Sequence, residues 1–482
     1  MNQYATPLFD AVRRYINDGV IPFHVPGHRQ GRGIPEMLDY IGAAALQMDL
    51  NGMQDLDYIN HPCGVIREAQ QLLAQAFAAQ ESYFLVNGTT SGVQAMIMSA
   101  CQPGDKIILP RNAHRSTIGG IILSGAVPVY IPPEIDSELG IAMGVTPESL
   151  ETAISRHPDA RAVFLIHPTY YGFTSDIQTL IELAHRNNIA VLADEAHGAH
   201  LGFHPQLPIS AMQAGADLSA ASMHKTAGSL TQSSVLLYKS QIISSDRVRE
   251  TINLAYTSSA SYLLLCSLDL ARKQLATRGP QLLSRVLDLV NQARQEINRL
   301  PGLYAFSSEC TGQPGAFAFD ETKLGVHVRG LGYTGYEIEE KLRRKYNLQI
   351  ELSDLYNILI ITSFGHDEAD LQALVQALED ITTHSIYRPK TSLPPLPPGP
   401  EMVVPPREAF YSRNKAVPLK MAIGEIAAEM VMAYPPGIPV ICMGERITGE
   451  IIDYLLLLKK QSCALQGTAD PQVNYIRVLS GK

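Results

Sequence analysis

Residues 220–228 read AASMHKTAG. A small-residue, largely apolar run, Leu218 to Ala221, leads into Ser222-Met223-His224-Lys225, then into Gly228 and a polar loop. A lysine at the end of a buried strand is costly, because burial disfavours its charged form. The same burial makes the amine a nucleophile, and its usual use is a Schiff base with a carbonyl. Taken alone, the stretch also reads as a surface lysine in a loop.

A second stretch bears on that choice. The apolar run Ile189 to Ala193 ends in Asp194-Glu195-Ala196-His197-Gly198-Ala199-His200. An aspartate at the C-terminal end of a parallel strand stands where open α/β sheets bind ligands. Buried there, it needs a cationic partner, and a protonated pyridine nitrogen is one. Pyridoxal phosphate (PLP) is held by a lysine Schiff base and an acidic partner to its ring nitrogen. Asp194 precedes Lys225 by 31 residues (225 − 194), room for one helix and one strand.

The pair DEAHGAH (194–200) and SMHK (222–225), with NGTTSG (87–92) and RNAHRS (111–116), resembles the ornithine/lysine/arginine decarboxylases of the aspartate-aminotransferase fold. The resemblance runs from FHVPGHRQG (23–31) to YPPGIPVICMGERIT (434–448). It implies an α/β large domain with a mostly parallel sheet, a smaller α+β domain and a C-terminal α+β module. It also implies PLP, shared active sites in a homodimer or higher homo-oligomer, and decarboxylation of a basic amino acid. The chain begins at the arm, which marks it as similar to the small, biosynthetic members without a receiver-like N-terminal domain.

Composition agrees with a globular enzyme. The 482 residues are 46% hydrophobic and 18% charged, enough for two or three domains with a large core. A net charge of −9 and a pI near 5.9 disfavour nucleic acid as partner. Six scattered cysteines without CxxC pairs read as reduced thiols. The N-terminus has no apolar signal core, and the apolar run Tyr454 to Leu458 is far too short to span a bilayer, so a cytoplasmic protein is expected.

Along the chain, residues 1–60 read as an arm, with a helix from Pro7 and a Pro/Gly-rich segment whose His24 and His28 also read as ordinary loop histidines; the resemblance, whose arm lies near the subunit interface, makes the PGH segment a candidate to line the active-site mouth. Residues 61–280 alternate strands and helices, the pattern of the PLP-binding domain. Thr146-Pro147-Glu148 marks a helix start. A long amphipathic helix is expected over 281–300, opening a small α+β domain to 387. Between Arg388 and Arg407, eight of twenty residues are proline, a semi-rigid linker. Residues 408–482 form the last domain, with a helix expected through LKMAIGEIAAEMVM (419–432) and a turn at YPPGIP.

Each motif has its chemistry. NGTTSG follows a strand and opens a helix, so free backbone N–H groups and the hydroxyls of Thr89, Thr90 and Ser91 form an anion site. The resemblance assigns Thr89 and Thr90 to the cofactor phosphate and His114 to stacking on the pyridine ring. Asp194 pairs with the pyridinium nitrogen, and Ala196 is small enough to lie under the ring. Ser222 reaches the phosphate, and His224 donates a proton or positions the carboxylate. His197 belongs to the cofactor site. Its spacing from His200 is metal-like, but no third ligand is evident and no metal is expected. The resemblance sends Thr257 and Ser258 to the neighbouring subunit's phosphate.

One departure is PTYYG (168–172), where the family often has PTYDG. Arginine is the first choice of substrate, with lysine or ornithine next; Asp55, Asp57 and Glu425 are candidate readers of its distal cation. An aminotransferase of the same fold and a non-catalytic PLP-binding protein are the rival functions.

Overall fold

The computed structural model describes residues 1–385, 397, 399–434, 438–461 and 463–481. The chain divides into two compact units, one of Met1–Ser99, Leu192–Arg285 and Ser363–Gly365, the other of Ala100–Val191, Val286–Thr362 and His366–Lys482. The class is α/β, with mostly parallel central-sheet strands.

In the first unit the strands run in the order Glu81–Leu85, Ser234–Tyr238, Leu218–Ala221 and Ala190–Glu195. The first two pairings are antiparallel and the last is parallel. The two strands that carry the motifs are buried throughout, and both are built of small and apolar residues up to their C-terminal ends. Asp194 lies opposite Ala220 and Glu195 opposite Ala221. The arm is fastened by one buried ion pair. Arg272 and Asp269 are 2.6 Å apart with both side chains fully buried. Arg272 donates to the carbonyls of Gln3 and Ala5, and Asp269 accepts from the N–H groups of Leu8 and Phe9 at the start of helix Pro7–Asn17.

The second unit holds the parallel strands Ala160–Ile166, Lys106–Pro110 and Val127–Ile131, in that order. Thr146 caps helix Pro147–Arg156 by accepting from Ser149 N at 3.2 Å, as its sequence predicts. A four-stranded antiparallel sheet follows, ordered Tyr304–Phe306, Lys323–His327, Asn357–Ile361, Leu352–Ser353. The C-terminal part has its own core of Val431, Ile441, Ile447, Ile476 and Val478. Helix Gly449–Lys460 adds Ile451, Ile452, Leu455 and Leu458 to it, a stripe at helical spacing. Each such side chain contributes about 1.5–3 kcal/mol.

Two expected helices need correction. The helix expected from 281 begins at Tyr262 and runs unbroken to Ile297, with Pro280 inside it. The stretch 419–432 is not a helix. It forms a short 3-10 turn, Leu419–Met421, then irregular chain, then the strand Val431–Tyr434. Gly424 sits at φ +85 in that stretch, a left-handed conformation that ends any helix. The Pro-rich segment and the YPPGIP turn fall partly on 386–396, 398 and 435–437, outside the described residues. Among the described residues no helix is long and apolar enough to cross a membrane. The six cysteines are free thiols.

Candidate active site

Lys225 lies in the single-turn helix Met223–Thr226, directly after the strand Leu218–Ala221, with Ser222 at the N-cap. Its Nζ is 2.8 Å from His197 Nε2. His197 is buried and sits just past the end of the neighbouring parallel strand, in a tight turn closed by Gly198 N donating to Glu195 O at 2.8 Å. Asp194 is the penultimate residue of the same strand, at 6% exposure, and its Oδ1 accepts from Ala196 N at 3.0 Å. Parallel pairing therefore brings acid, imidazole and amine to one edge, since neighbouring strands lie only about 4.8 Å apart.

The hydroxyls gather beside them. Thr89 Oγ1 is 2.5 Å from Ser222 Oγ and donates to Ser234 Oγ at 3.0 Å. Ser91 turns back onto Gly88 O, whereas Thr90 is exposed at the start of helix Gly88–Ala100. Ser234, the first residue of its strand, is a member of this cluster that sequence reading missed; nothing in SSVLLY distinguishes it from any strand serine. His224 Nδ1 faces Ser233 O at 2.9 Å, and a carbonyl only accepts, so the Nδ1 proton is fixed there. Thr226 Oγ1 is buried without a hydrogen-bond partner.

Thr257 and Ser258 follow helix Ser245–Ala255, where Thr257 Oγ1 accepts from Ser259 N. The same helix end meets the NGTTSG motif, because Asn87 Nδ2 donates to Ala255 O at 3.4 Å. His114 belongs to the second unit. It is exposed and caps helix Arg115–Ser124, its Nδ1 accepting from Ser116 N at 3.2 Å.

Glu195, next to Asp194, is a buried acid with no ion pair among the described residues. Its carboxylate accepts from Ala211 N at 2.8 Å and pairs with the Ser219 hydroxyl. Burial pushes its pKa up to about 7, against the pull of those two donors, and Asp194 adds like charge.

Two candidate readers of a distal cation have other partners. Asp57 is buried and accepts from the N–H groups of Tyr58, Cys63, Gly64, Ile66 and Arg67, thereby capping helix Val65–Ala76. Burial raises its pKa, but the N–H groups of Cys63, Tyr58, Gly64 and Arg67 outweigh this and hold it below the ordinary value. Glu425 lies in the second unit and pairs with Lys415 at 3.4 Å. Asp55 is exposed. The departure at PTYYG is structural: Tyr171 is fully buried and donates to Asp354, which Asn357 also holds. Among the described residues no group of three His, Cys, Asp or Glu is arranged to hold a metal.

The donor set suits PLP. A lysine amine at a strand end, a carboxylate on the adjacent strand, a cluster of hydroxyls at a helix start and the unpartnered Thr226 hydroxyl are the groups that an aldehyde, a pyridinium and a phosphate require.

Comparison with known proteins agrees. Residues 6–323 match the Orn/Lys/Arg decarboxylase major domain and residues 392–470 its C-terminal domain. The chain is similar to an arginine decarboxylase of Bacillus subtilis (strain 168), 45% identical and covering 99% of both chains. An arginine decarboxylase of Bacillus anthracis is 43% identical, over 99% of this chain and 98% of its own. The fold matches that of the E. coli constitutive lysine decarboxylase, with a TM-score of 0.85 at 21% identity, covering 99% of this chain and 82% of that one. With both domain models matched and the lysine, acid and hydroxyl positions in one place, the chain belongs to the Orn/Lys/Arg decarboxylase family of PLP-dependent amino-acid decarboxylases.

Proposed function

We propose that the chain decarboxylates arginine to agmatine and CO2, with PLP held at Lys225, as a step in polyamine biosynthesis. The observation that carries the site is the 2.8 Å approach of Lys225 Nζ to His197 Nε2, on the strand edge shared with Asp194. The choice of arginine is supported by the relatives of that name at 43–45% identity over essentially the whole chain. Lysine or ornithine is the second reading, favoured by lysine decarboxylases at 23–24% identity.

Bound PLP supplies an electron sink for the pair left when CO2 departs. The residues serve that chemistry as follows. Lys225 binds the cofactor through its amine, and His197 gives or takes a proton at Nζ. The Asp194 carboxylate holds the ring nitrogen protonated. Thr89, Thr90, Ser91 and Ser222, with the N–H groups of the helix start, hold the phosphate. Ala196 would leave room for the ring, the resemblance gives His114 the role of stacking on it, and Lys225 or His224 would return a proton to Cα.

The working unit is a homodimer in the cytoplasm, with Thr257 and Ser258 serving the neighbour's phosphate. The arm supports a dimer. Ile21, Phe23, Val25 and Tyr40 are 70%, 88%, 61% and 91% exposed, a density of apolar surface that a second copy would cover. Divisions at 60, 280, 387 and 407 remain the proposed domain plan.

The deciding experiment measures CO2 release from arginine, lysine and ornithine, alongside borohydride reduction and peptide mapping. Arginine should be turned over fastest and the cofactor fixed on Lys225. Labelling at another lysine would sink the site; lysine or ornithine as best substrate would sink the substrate choice alone. Asp194→Asn should lose a hundredfold or more in kcat, equivalent to about 3 kcal/mol of barrier.

A further inference from the structure

Asp194 and Glu195 are neighbours in one strand, yet only Asp194 has a part in the chemistry at Lys225. Side chains alternate along a strand, so the two carboxylates leave the sheet on opposite faces. Glu195, the last residue of Ala190–Glu195, is 2% exposed.

On its own face the Glu195 carboxylate joins its strand to two other elements of the same unit. One is the strand Leu218–Ala221, where Ser219 donates its hydroxyl to Oε2. The two side chains can meet because Glu195 lies opposite Ala221, two residues on from Ser219 and on the same side of the sheet. The other is helix Ala211–Ala214, where Ala211 N donates to Oε1 at 2.8 Å. The helix's own cap leaves that first N–H open, since Ser210 Oγ accepts from Gln213 N at 3.3 Å.

The main chain of the same residue leads to the amine. Gly198 N donates to Glu195 O at 2.8 Å and closes the turn that carries Ala196 and His197. His197 Nε2 stands 2.8 Å from Lys225 Nζ. Lys225 in turn sits in the single-turn helix that follows the Ser219 strand. The backbone bearing the imidazole and the backbone bearing the amine are thus tied to each other just before they leave the sheet. A buried carboxylate holding two donors fixes the spacing of the groups that carry them.

We infer that Glu195 is a positioning residue for the reaction at Lys225: by clamping the end of the Asp194 strand to Ser219 and to the start of helix Ala211–Ala214, it sets the approach of the His197 imidazole to the lysine amine. Glu195 acts through the turn and the neighbouring strand. This inference rests on the reading of Lys225 as the cofactor lysine.

The test uses the full-length holoenzyme at pH 6, below the value of about 7 at which Glu195 ionises, and three changes. Glu195→Gln keeps an acceptor for Ala211 N and offers an amide N–H to Ser219 Oγ. Glu195→Ala removes both bonds. Ser219→Ala removes one and leaves the helix bond, so it decides the matter should Glu195→Ala fold poorly. In Glu195→Ala the rate per loaded site should fall roughly tenfold or more, with kcat moving more than KM, because a small misplacement of a reacting group is costly. Ser219→Ala should fall about threefold on the same ground, while Glu195→Gln stays within about twofold of the parent. Hydrogen exchange read by mass spectrometry, in apo and loaded protein alike, should rise about tenfold over residues 195–203 in Glu195→Ala and hardly at all in Glu195→Gln. A purely structural role would lower the amount of loaded enzyme and leave the rate per site unchanged in Glu195→Ala and Ser219→Ala, which overturns the inference. Glu195→Gln as slow as Glu195→Ala would make the ionisable group, and not the clamp, the cause, and overturns it too. Unchanged exchange over 195–203 in Glu195→Ala does the same. Borohydride mapping of the parent enzyme keeps the two readings apart: a cofactor fixed on another lysine overturns the site and this inference together, whereas one fixed on Lys225, with the variants at full rate, overturns this inference alone.

Discussion

Two glutamates, Glu195 and Glu445, are buried to 2% and 0% exposure, yet their surroundings give them opposite characters. Glu445 has the Arg111 guanidinium forked onto it, which offsets the loss of water. Glu195 has one N–H, one hydroxyl and the like charge of Asp194, and burial wins. The difference lies in the nearest partner: a guanidinium for one, an N–H and a hydroxyl for the other. It also divides labour. The pair at Glu445 is a fixed joint of two forked hydrogen bonds, while Glu195, beside Asp194, changes its protonation near neutrality.

The strongest test of the contrast is Glu445→Ala. It strands an arginine whose side chain is only 13% exposed and should cost about 3–5 kcal/mol in denaturant unfolding, whereas replacing both partners by apolar residues should recover most of that loss. A cost under about 1 kcal/mol for the single change would mean the joint is no joint.

The next effect is a pH dependence. Folded Glu195 releases its proton at about pH 7 against an ordinary value of 4.5, so between those values the folded chain holds the proton more tightly than the unfolded one. Its contribution is complete below pH 4.5 and is lost as pH rises through 7, on the order of 3 kcal/mol in all. Glu195→Gln, whose amide mimics the protonated acid, should remove this slope. Thermal unfolding of both proteins from pH 5 to 8 checks it; parallel curves would mean that Glu195 contributes no such slope.

Smallest is Ser219→Ala. Losing one hydroxyl should cost about 1 kcal/mol and move the Glu195 transition to higher pH, because that hydroxyl favours the ionised form. A transition moving to lower pH would reverse the assignment of the hydroxyl as a donor.

The lysine site was legible because its parts lie at strand ends in short motifs. Asp194, Lys225, Ser222 and Thr89 come together as the alternation of strands predicts. The Glu445–Arg111 joint was not legible. The partners are 334 residues apart, and nothing in the spacing of either motif points to the other. Ser234 was missed for a similar reason, since its role depends on register across two sheet neighbours. The helix expected from 281 starts at Tyr262, because Gly279-Pro280 does not break it. There the glycine answers to packing: a Cβ at 279 would lie 3.1 Å from Phe203 Cβ, and the helix continues through both residues. At 419–432 the apolar spacing mimicked a helix, but Pro418 and the left-handed Gly424 left no room for one.

The buried pair Arg272–Asp269 has a practical consequence for handling the protein. Its four arm partners all come from Gln3 to Phe9, so trimming the first nine residues would leave two buried charges with only each other. Such a truncation should express poorly or aggregate, whereas a tag joined at Met1, which is 64% exposed, extends into solvent and leaves the pair untouched. Limited proteolysis ought to spare this strap until the whole unit opens, which makes an intact N-terminus a convenient marker of folded material.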